Sequence, residues 1–296
     1  MNLVINLDKP KGVTSQEAVT SVKRLLSVKK AGHTGTLDPI ATGVLLVCLN
    51  EATKITRFLM GLDKEYIARI KLGEKTDTLD SEGKVIERVK GFSLTRDDIV
   101  RVIKRFQGEI EQTPPMHSAI KKDGKPLYKL ARKGIIIERE KRLVKINRID
   151  LLSLDLPFFD IRVHCSKGTY IRTLCSDIGD ALGVGGHVVE LRRIAIGNFR
   201  VSDSITIEKL RAVRDKGNNF FKSKSIISID SALGDMEEVL LKEEDVKKAK
   251  KGLLPKYLKD IIFSSGYIKL KDINGNLFGI AKAQGELIRI ERILNL

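Results

Sequence analysis

One carboxylate stands out among the residues that could do chemistry. Asp38 lies in a run of small and turn-forming residues, GHTGTLDPIATG from Gly32 to Gly43, where backbone can approach a ligand closely. Asp-Pro is also a common turn and helix cap, so Asp38 read alone serves structure more readily than chemistry. His33 falls in the same loop and becomes interesting only with a partner. The segment SKGTYIRTL, Ser166–Leu174, comes second. Tyr170 and Arg172 are two apart, so they share a side on a strand and do not on a helix. Arg172 could pair with a carboxylate; the plainer alternative is a core tyrosine beside a surface arginine. Tyr66 is third. It falls on the apolar face of a strand, where it packs in the core or offers its ring to a nucleobase.

Other chemistries lack their residues. His33, His117, His164 and His187 show no metal-ligand spacing with one another or with cysteine. There is no GxxxxGK[ST] loop and no GxSxG elbow. GVGGH, Gly183–His187, does not fit GxGxxG and reads as a loop after a helix. An enzyme built from this chain is expected to rely on a carboxylate, with no metal and no cofactor.

These residues need elements to position them. Thr14 and Glu17 have capping-box spacing ahead of Ala18, Val22, Leu25 and Leu26, which predicts a helix. VLLVCL, Val44–Leu49, is short enough for a buried strand, and Asn50 reads as the N-cap of a helix with Ala52, Ile55, Phe58 and Leu59. Tyr66, Ala68, Ile70 and Leu72 share one face of a strand. A turn at Asp80–Gly83 and the run Lys84–Val89 suggest a return hairpin. Thr95 and Asp98 start another helix, with Gly108 as its stop. Leu143–Leu154 and Asp160–Cys165 read as strands, and Thr169–Leu182 as a helix ended by Gly183. Helices and strands mix without βαβ alternation. The expected class is α+β around a largely antiparallel mixed sheet flanked by helices. Beyond Gly234 a short helix, Glu243–Lys251, precedes strand-like runs at Ile261–Phe263, Tyr267–Lys271, Leu277–Ala283 and Leu287–Leu294. Asn274–Gly275 is a hairpin turn between two of them. This predicts a small separate β domain.

Composition narrows the setting. The chain has 296 residues, is 42% hydrophobic and 31% charged, and carries a formal charge of +16. That composition argues against a mainly disordered protein. No apolar run approaches the roughly 20 residues that span a bilayer, and MNLVINLDKPKG has no signal-peptide layout. Three widely spaced cysteines argue against a disulfide framework, so a cytoplasmic location is expected, without a membrane. Half of the net charge falls in about a tenth of the chain: Ala119–Ile149 carries +8. Lys121, Lys122, Lys125, Lys129 and Arg132 lead that segment. It is either a solvated flexible loop or a phosphate-gripping arm whose binding depends on salt.

Taken together, DKPKGVTS (Asp8–Ser15), GHTGTLDPIATGVL (Gly32–Leu45), KEY (Lys64–Tyr66), TDTLDSEG (Thr76–Gly83), SKGTYIRTL (Ser166–Leu174) and HVVELRR (His187–Arg193) closely resemble the TruB family of pseudouridine synthases. The resemblance covers nearly the whole chain. It implies a pseudouridine-synthase catalytic domain over residues 1–234, with a basic RNA-contacting insertion at about 119–149, and a small PUA-like β domain over 235–296. It implies isomerisation of uridine to pseudouridine at position 55 in the T loop of tRNA. By the same resemblance Asp38 matches the catalytic aspartate, Tyr66 a stacking tyrosine with a proton-transfer role, and Arg172 the arginine that pairs with the carboxylate. Tyr170 and Leu191 match uracil-pocket positions, and Asp80 a pocket aspartate. His33 matches a residue that holds the flipped-out loop. Lys9 and Pro10 match a motif that buttresses the active-site loop. Lys121, Lys122, Lys125, Lys129 and Arg132 are expected to grip the RNA backbone. The expected partner is the tRNA T stem-loop, with no obligatory protein partner and a monomeric enzyme. Two other readings stay open: an RNA-folding protein whose chemistry is secondary, and a guide-RNA-dependent relative.

Overall fold

A computed structural model describes the chain except residues 119, 123, 132, 216–221, 235, 254–257, 259–262, 264–265 and 285–286. Its main feature is a ten-stranded sheet. The strand order is Ile226–Ser228, Leu3–Lys9, Thr42–Leu49, Gly186–Ile196, Lys64–Leu72, Phe158–Cys165, Arg142–Asp155 and Gly108–Gln112. Ala31–His33 pairs beside Thr42–Leu49, and Phe199–Arg200 beside Gly186–Ile196. The pairing of Thr42–Leu49 with Gly186–Ile196 is parallel, and the other pairings in this sheet are antiparallel. The expected mixed, largely antiparallel sheet is therefore observed.

Side-chain alternation explains the continuous apolar run at Val44–Leu49. Leu45 and Val47 face one core, with Ala18, Val19 and Val22 of the Ser15–Leu25 helix and Leu174 and Ile178 of the Ile171–Ala181 helix. Val44, Leu46 and Cys48 face a second core, with Ile55, Leu59 and Ile196. A strand covered on both faces shows no polar alternation. Leu277, Ile280 and Leu294 belong to that second core. Leu277 and Ile280 come from, and Leu294 directly follows, a four-stranded sheet built from Glu237–Leu241, Gly266–Asp272, Leu277–Gln284 and Leu287–Ile293. This sheet has its own core of Leu241, Val246, Ala249, Leu270 and Phe278, yet it also roofs the far face of the large one. Phe58 meets Tyr267 edge to face, with ring centroids 4.6 Å apart, across the same junction.

Local signals held where they were self-contained. Both capping boxes form, Thr14 with Glu17 and Thr95 with Asp98; a cap of this kind contributes about 1 kcal/mol. The 273–276 turn joins its two strands as expected. Several expectations are corrected. His33 ends a strand and is not in a loop. Asn50 begins a 3-10 turn, Asn50–Ile55, and the α-helix starts at Thr56. Its side chain is used elsewhere: Nδ2 donates to the Met1 carbonyl at 2.8 Å and Oδ1 accepts from Lys30 N at 3.1 Å. Gly186 and His187 open a central strand instead of belonging to the preceding loop. The helix near Thr169 starts at Ile171. Gly108 starts a strand four residues after the Arg96–Lys104 helix ends. The strand expected at Ile261–Phe263 falls largely outside the described residues.

Candidate active site

Asp38 sits in the connection between two antiparallel strands, Ala31–His33 and Thr42–Leu49. Main-chain bonds from outside the connection fix it. The Ser15 hydroxyl accepts from Leu37 N at 2.7 Å and donates to the Leu37 carbonyl at 3.0 Å. Lys9 is fully buried behind it. The Lys9 ammonium donates to the carbonyls of Val13 (2.7 Å), Pro10 (2.9 Å) and Pro39 (3.5 Å), and Gly12 N donates to Pro39 O at 2.8 Å. Burial pushes the Lys9 amine down to about 8, partly offset by the nearby Asp38 charge. The loop closes at Gly43, φ +101°, where a Cβ would lie 2.2 Å from the Arg193 carbonyl. Only glycine lets the two strands approach this closely.

Arg172 reaches Asp38 from the first turn of the Ile171–Ala181 helix. Its Nε donates to Asp38 Oδ2 at 2.8 Å and its Nη2 to Asp38 Oδ1 at 3.1 Å, a two-point fork. The remaining N–H groups donate to Thr78 O (2.8 Å), Asp80 Oδ2 (3.2 Å) and His117 O (2.7 Å). The guanidinium has thus spent its five donors, and the residue is only 4% exposed. Asp80, also buried, is aimed in turn by the Thr78 hydroxyl at 2.6 Å and Glu82 N at 3.1 Å. Removing one partner of such a buried pair costs about 3–5 kcal/mol. Tyr170 holds the N-cap position in an extended conformation. The helix-or-strand question about Tyr170 and Arg172 resolves as neither: one precedes the helix, the other lies in its first turn, and both reach one cleft.

A cavity of about 690 Å³ opens over this pair, and Asp38, Tyr66, Tyr170, Arg172 and Leu191 all line it. Among the described residues that line it, Asp38 is the one carboxylate, against Arg57, Lys64, Arg142, Lys167, Arg172 and Arg193. Burial raises the Tyr66 phenol, with Arg193 working the other way, so the hydroxyl keeps its proton. Burial lowers the His33 imidazole, and Arg193 adds to that, which favours the neutral ring. His33 and Asp80 line a second cavity of about 520 Å³ that shares Asp38 and Arg172 with the first. Lys9 lines neither and lies behind the loop. Sequence reading missed Ser15, Gln112 and Arg193. Arg193 is 1% exposed, and its guanidinium donates to Val44 O (2.7 Å) and Gly35 O (3.1 Å). The paired arginines of HVVELRR were a faint signal: on a strand they point to opposite faces, and Arg192 instead forks onto Asp8 at 2.8 and 3.1 Å.

The basic segment has structure of its own. Lys121–Lys122 pairs with Lys125–Pro126, and a short helix, Leu127–Ala131, follows. Lys122, Lys125 and Lys129 are exposed, while Leu127 is buried. Arg132 lies outside the described residues.

A cation-lined cleft over a carboxylate–arginine pair, on a mixed sheet with a small second sheet, suits an anionic ligand. Known proteins give the family. Two family models match, "TruB family pseudouridylate synthase (N terminal domain)" over residues 23–171 and "tRNA pseudouridylate synthase B C-terminal domain" over residues 172–261. The tRNA pseudouridine synthase B of Clostridium kluyveri is 46% identical over 282 residues, which is 94% of each chain. That of Ectopseudomonas mendocina is 43% identical over 289 residues, 96% of this chain and 92% of the relative. A chain in the crystal structure of a Cbf5-Nop10-Gar1 complex superposes with a TM-score of 0.74 at 29% identity, covering 98% of this chain and 84% of that one. A chain in an H/ACA RNP bound to a substrate RNA containing 2'-deoxyuridine gives 0.73 at 26% identity, covering 99% and 85%. The chain belongs to the TruB family of pseudouridine synthases.

Proposed function

We propose that this protein isomerises uridine to pseudouridine at position 55 in the T loop of tRNA, as a stand-alone monomeric cytoplasmic enzyme with Asp38 as its catalytic carboxylate. The observation that carries the reading is the two-point Asp38–Arg172 pair at the foot of a cleft lined by Tyr66 and Tyr170. The reaction breaks the N1–C1′ bond, turns the uracil and joins C5 to C1′. The proton lost from C5 is matched by one gained at N1, so the net change is an isomerisation without hydrolysis or redox.

Each part of the site has a task in that sequence. The target base leaves its stack, at a cost of a few kcal/mol. Stacking on an aromatic ring returns about 1–3 kcal/mol per base, and Tyr66, which lines the cleft, supplies it. The Arg172 fork takes one lone pair of each Asp38 oxygen and leaves the others for the reacting nucleotide. It also fixes the direction of the carboxylate before substrate arrives, which is where preorganised charge lowers a barrier. The protonated Tyr66 hydroxyl is available for proton transfer. Tyr170 and Leu191 flank the base, and Asp80 and His33 serve the adjoining cavity. Lys9 keeps the Asp38 loop in place. Residues 119–149, with Lys121, Lys122, Lys125, Lys129 and Arg132, grip the T stem, and the C-terminal sheet acts as a PUA-like RNA-binding domain over residues 235–296.

Incubating unmodified tRNA with the purified protein alone, then mapping pseudouridine, tests this. A single new pseudouridine at position 55 is expected. Modification elsewhere, or only with an added guide RNA, overturns it.

A further inference from the structure

Gln112 ends the Gly108–Gln112 strand and is 1% exposed. Both ends of its side-chain amide bond to one residue. Its Oε1 accepts from the Tyr170 backbone N–H at 3.0 Å, and its Nε2 donates to the Tyr170 carbonyl at 3.3 Å. A buried amide satisfied by one residue's main chain fixes both the position and the rotation of that residue. Tyr170 is the N-cap of the helix that carries Arg172, and it has no side-chain cap bond of its own. Its carbonyl also accepts the first helical bond, from Leu174 N at 3.0 Å. Gln112 thus anchors, from outside, the helix end whose second residue grips Asp38.

The position of Gln112 in the chain adds a second consequence. It stands opposite Arg142 in the sheet register, and residues 113–141 leave and re-enter the sheet at that pair. These residues contain most of the basic arm. Five residues past Gln112, the His117 carbonyl accepts from Arg172 Nη2 at 2.7 Å. The root of the arm therefore touches the catalytic helix end twice, through Gln112 on Tyr170 and through His117 on Arg172.

We propose that Gln112 is a positioning residue that sets Tyr170 and Arg172 against Asp38 and joins the root of the basic arm to that pair. The proposal rests on the reading of Asp38 and Arg172 as the catalytic pair. Gln112 lines neither cavity, so its loss slows the chemical step without weakening RNA binding.

The test uses Gln112→Leu, which nearly preserves shape and removes both bonds, and Gln112→Glu. The glutamate keeps an acceptor for the Tyr170 N–H but sets a carboxylate against the Tyr170 carbonyl. Single-turnover rates at saturating T-arm stem-loop are measured beside RNA Kd. For Gln112→Leu the rate should fall about tenfold or more with Kd within about twofold, and Gln112→Glu should lie between it and wild type. A folded Gln112→Leu with a rate within about twofold of wild type overturns the proposal, as does a Kd that rises in step with the lost rate. Should Gln112→Leu fail to fold, Gln112→Glu decides: a rate lowered severalfold supports the proposal, and an unchanged rate overturns it. Wild-type protein that makes no pseudouridine in the T arm overturns the functional reading itself. Active wild type beside an equally active Gln112→Leu overturns the positioning role alone.

Discussion

The cleft and the basic arm hold their positive charge in opposite ways. At the cleft, Arg172 and, behind the Asp38 loop, Lys9 are buried, and their N–H groups go to named acceptors on fixed backbone and carboxylates. In the arm, Lys122, Lys125 and Lys129 stand in solvent on a two-residue ladder and one short helix. A buried, satisfied cation gives direction: it sets where a carboxylate points and is screened little by salt. An exposed cation gives affinity: it exchanges counterions for phosphate and weakens as salt rises. On the proposed function, the net charge is expected to do two separable jobs. Substitutions in the cleft should therefore move the rate, and substitutions in the arm should move binding.

The largest effect is expected from Asp38→Asn. The amide keeps the volume of the carboxylate but can neither accept a two-point fork nor act as the anion. Pseudouridine formation in a T-arm stem-loop should fall by roughly a thousandfold or more while RNA Kd stays close to wild type. Wild-type turnover would remove Asp38 from the chemistry and with it the cleft's half of the comparison. Arg172→Lys comes next. Lysine keeps the charge but offers a point in place of a fork, and it leaves acceptors at Thr78, Asp80 and His117 unmet. A rate loss of about a hundredfold is expected, with about 1–3 kcal/mol of stability lost in chemical denaturation. Equal losses in rate and Kd would show that Arg172 binds RNA instead of aiming Asp38.

What the sequence shows of this arrangement depends on how local each cause is. Thr14 with Glu17, and Thr95 with Asp98, are boxes closed within four residues, so composition and spacing suffice to find them. Tyr66 to Leu72 alternates because one face of that strand is only half covered. The strands Leu3–Lys9 and Gly186–Ile196 carry no clear alternation, since neighbours cover much of both their faces. Asn50 shows the limit at a single residue: its partners, Met1 and Lys30, are distant in sequence. The site divides in the same way. Asp38 and Arg172 lie 134 residues apart and were reachable through distinctive motif blocks. Ser15, Gln112 and Arg193 bond main chain, a task many polar residues perform, so no residue pattern announces the first two and the paired arginines of HVVELRR only faintly mark the third.

Lys9→Met probes the buried side of the comparison where no substrate is touched. Losing the ammonium frees the carbonyls of Pro10, Val13 and Pro39, and the rate should fall about tenfold as the Asp38 loop loosens. The pH dependence separates this from an ordinary surface change. Burial lowers Lys9 to about 8 from an ordinary 10.5. Between those values the unfolded chain carries a proton that the folded chain lacks, so this group's contribution to stability rises with pH across that window. The wild type should gain on Lys9→Met in urea unfolding as pH rises from about 8 towards 10.5. A constant difference would mean that Lys9 is not held in the dry environment described.

The smallest effect on rate, and the clearest on salt, is expected in the arm. Replacing Lys122, Lys125 and Lys129 together by alanine should raise T-arm Kd about tenfold and reduce the slope of log K against log salt by about two. All three are exposed, so thermal unfolding should shift by less than about 0.5 kcal/mol. The single-turnover rate at saturating RNA should stay at the wild-type value. An unchanged salt slope would show that these lysines do not meet phosphate. A lowered saturating rate with an unchanged Kd would be more damaging. It would place the exposed tip of the arm in the same class as Gln112 at its root, and charge in the two regions would no longer be doing separable jobs.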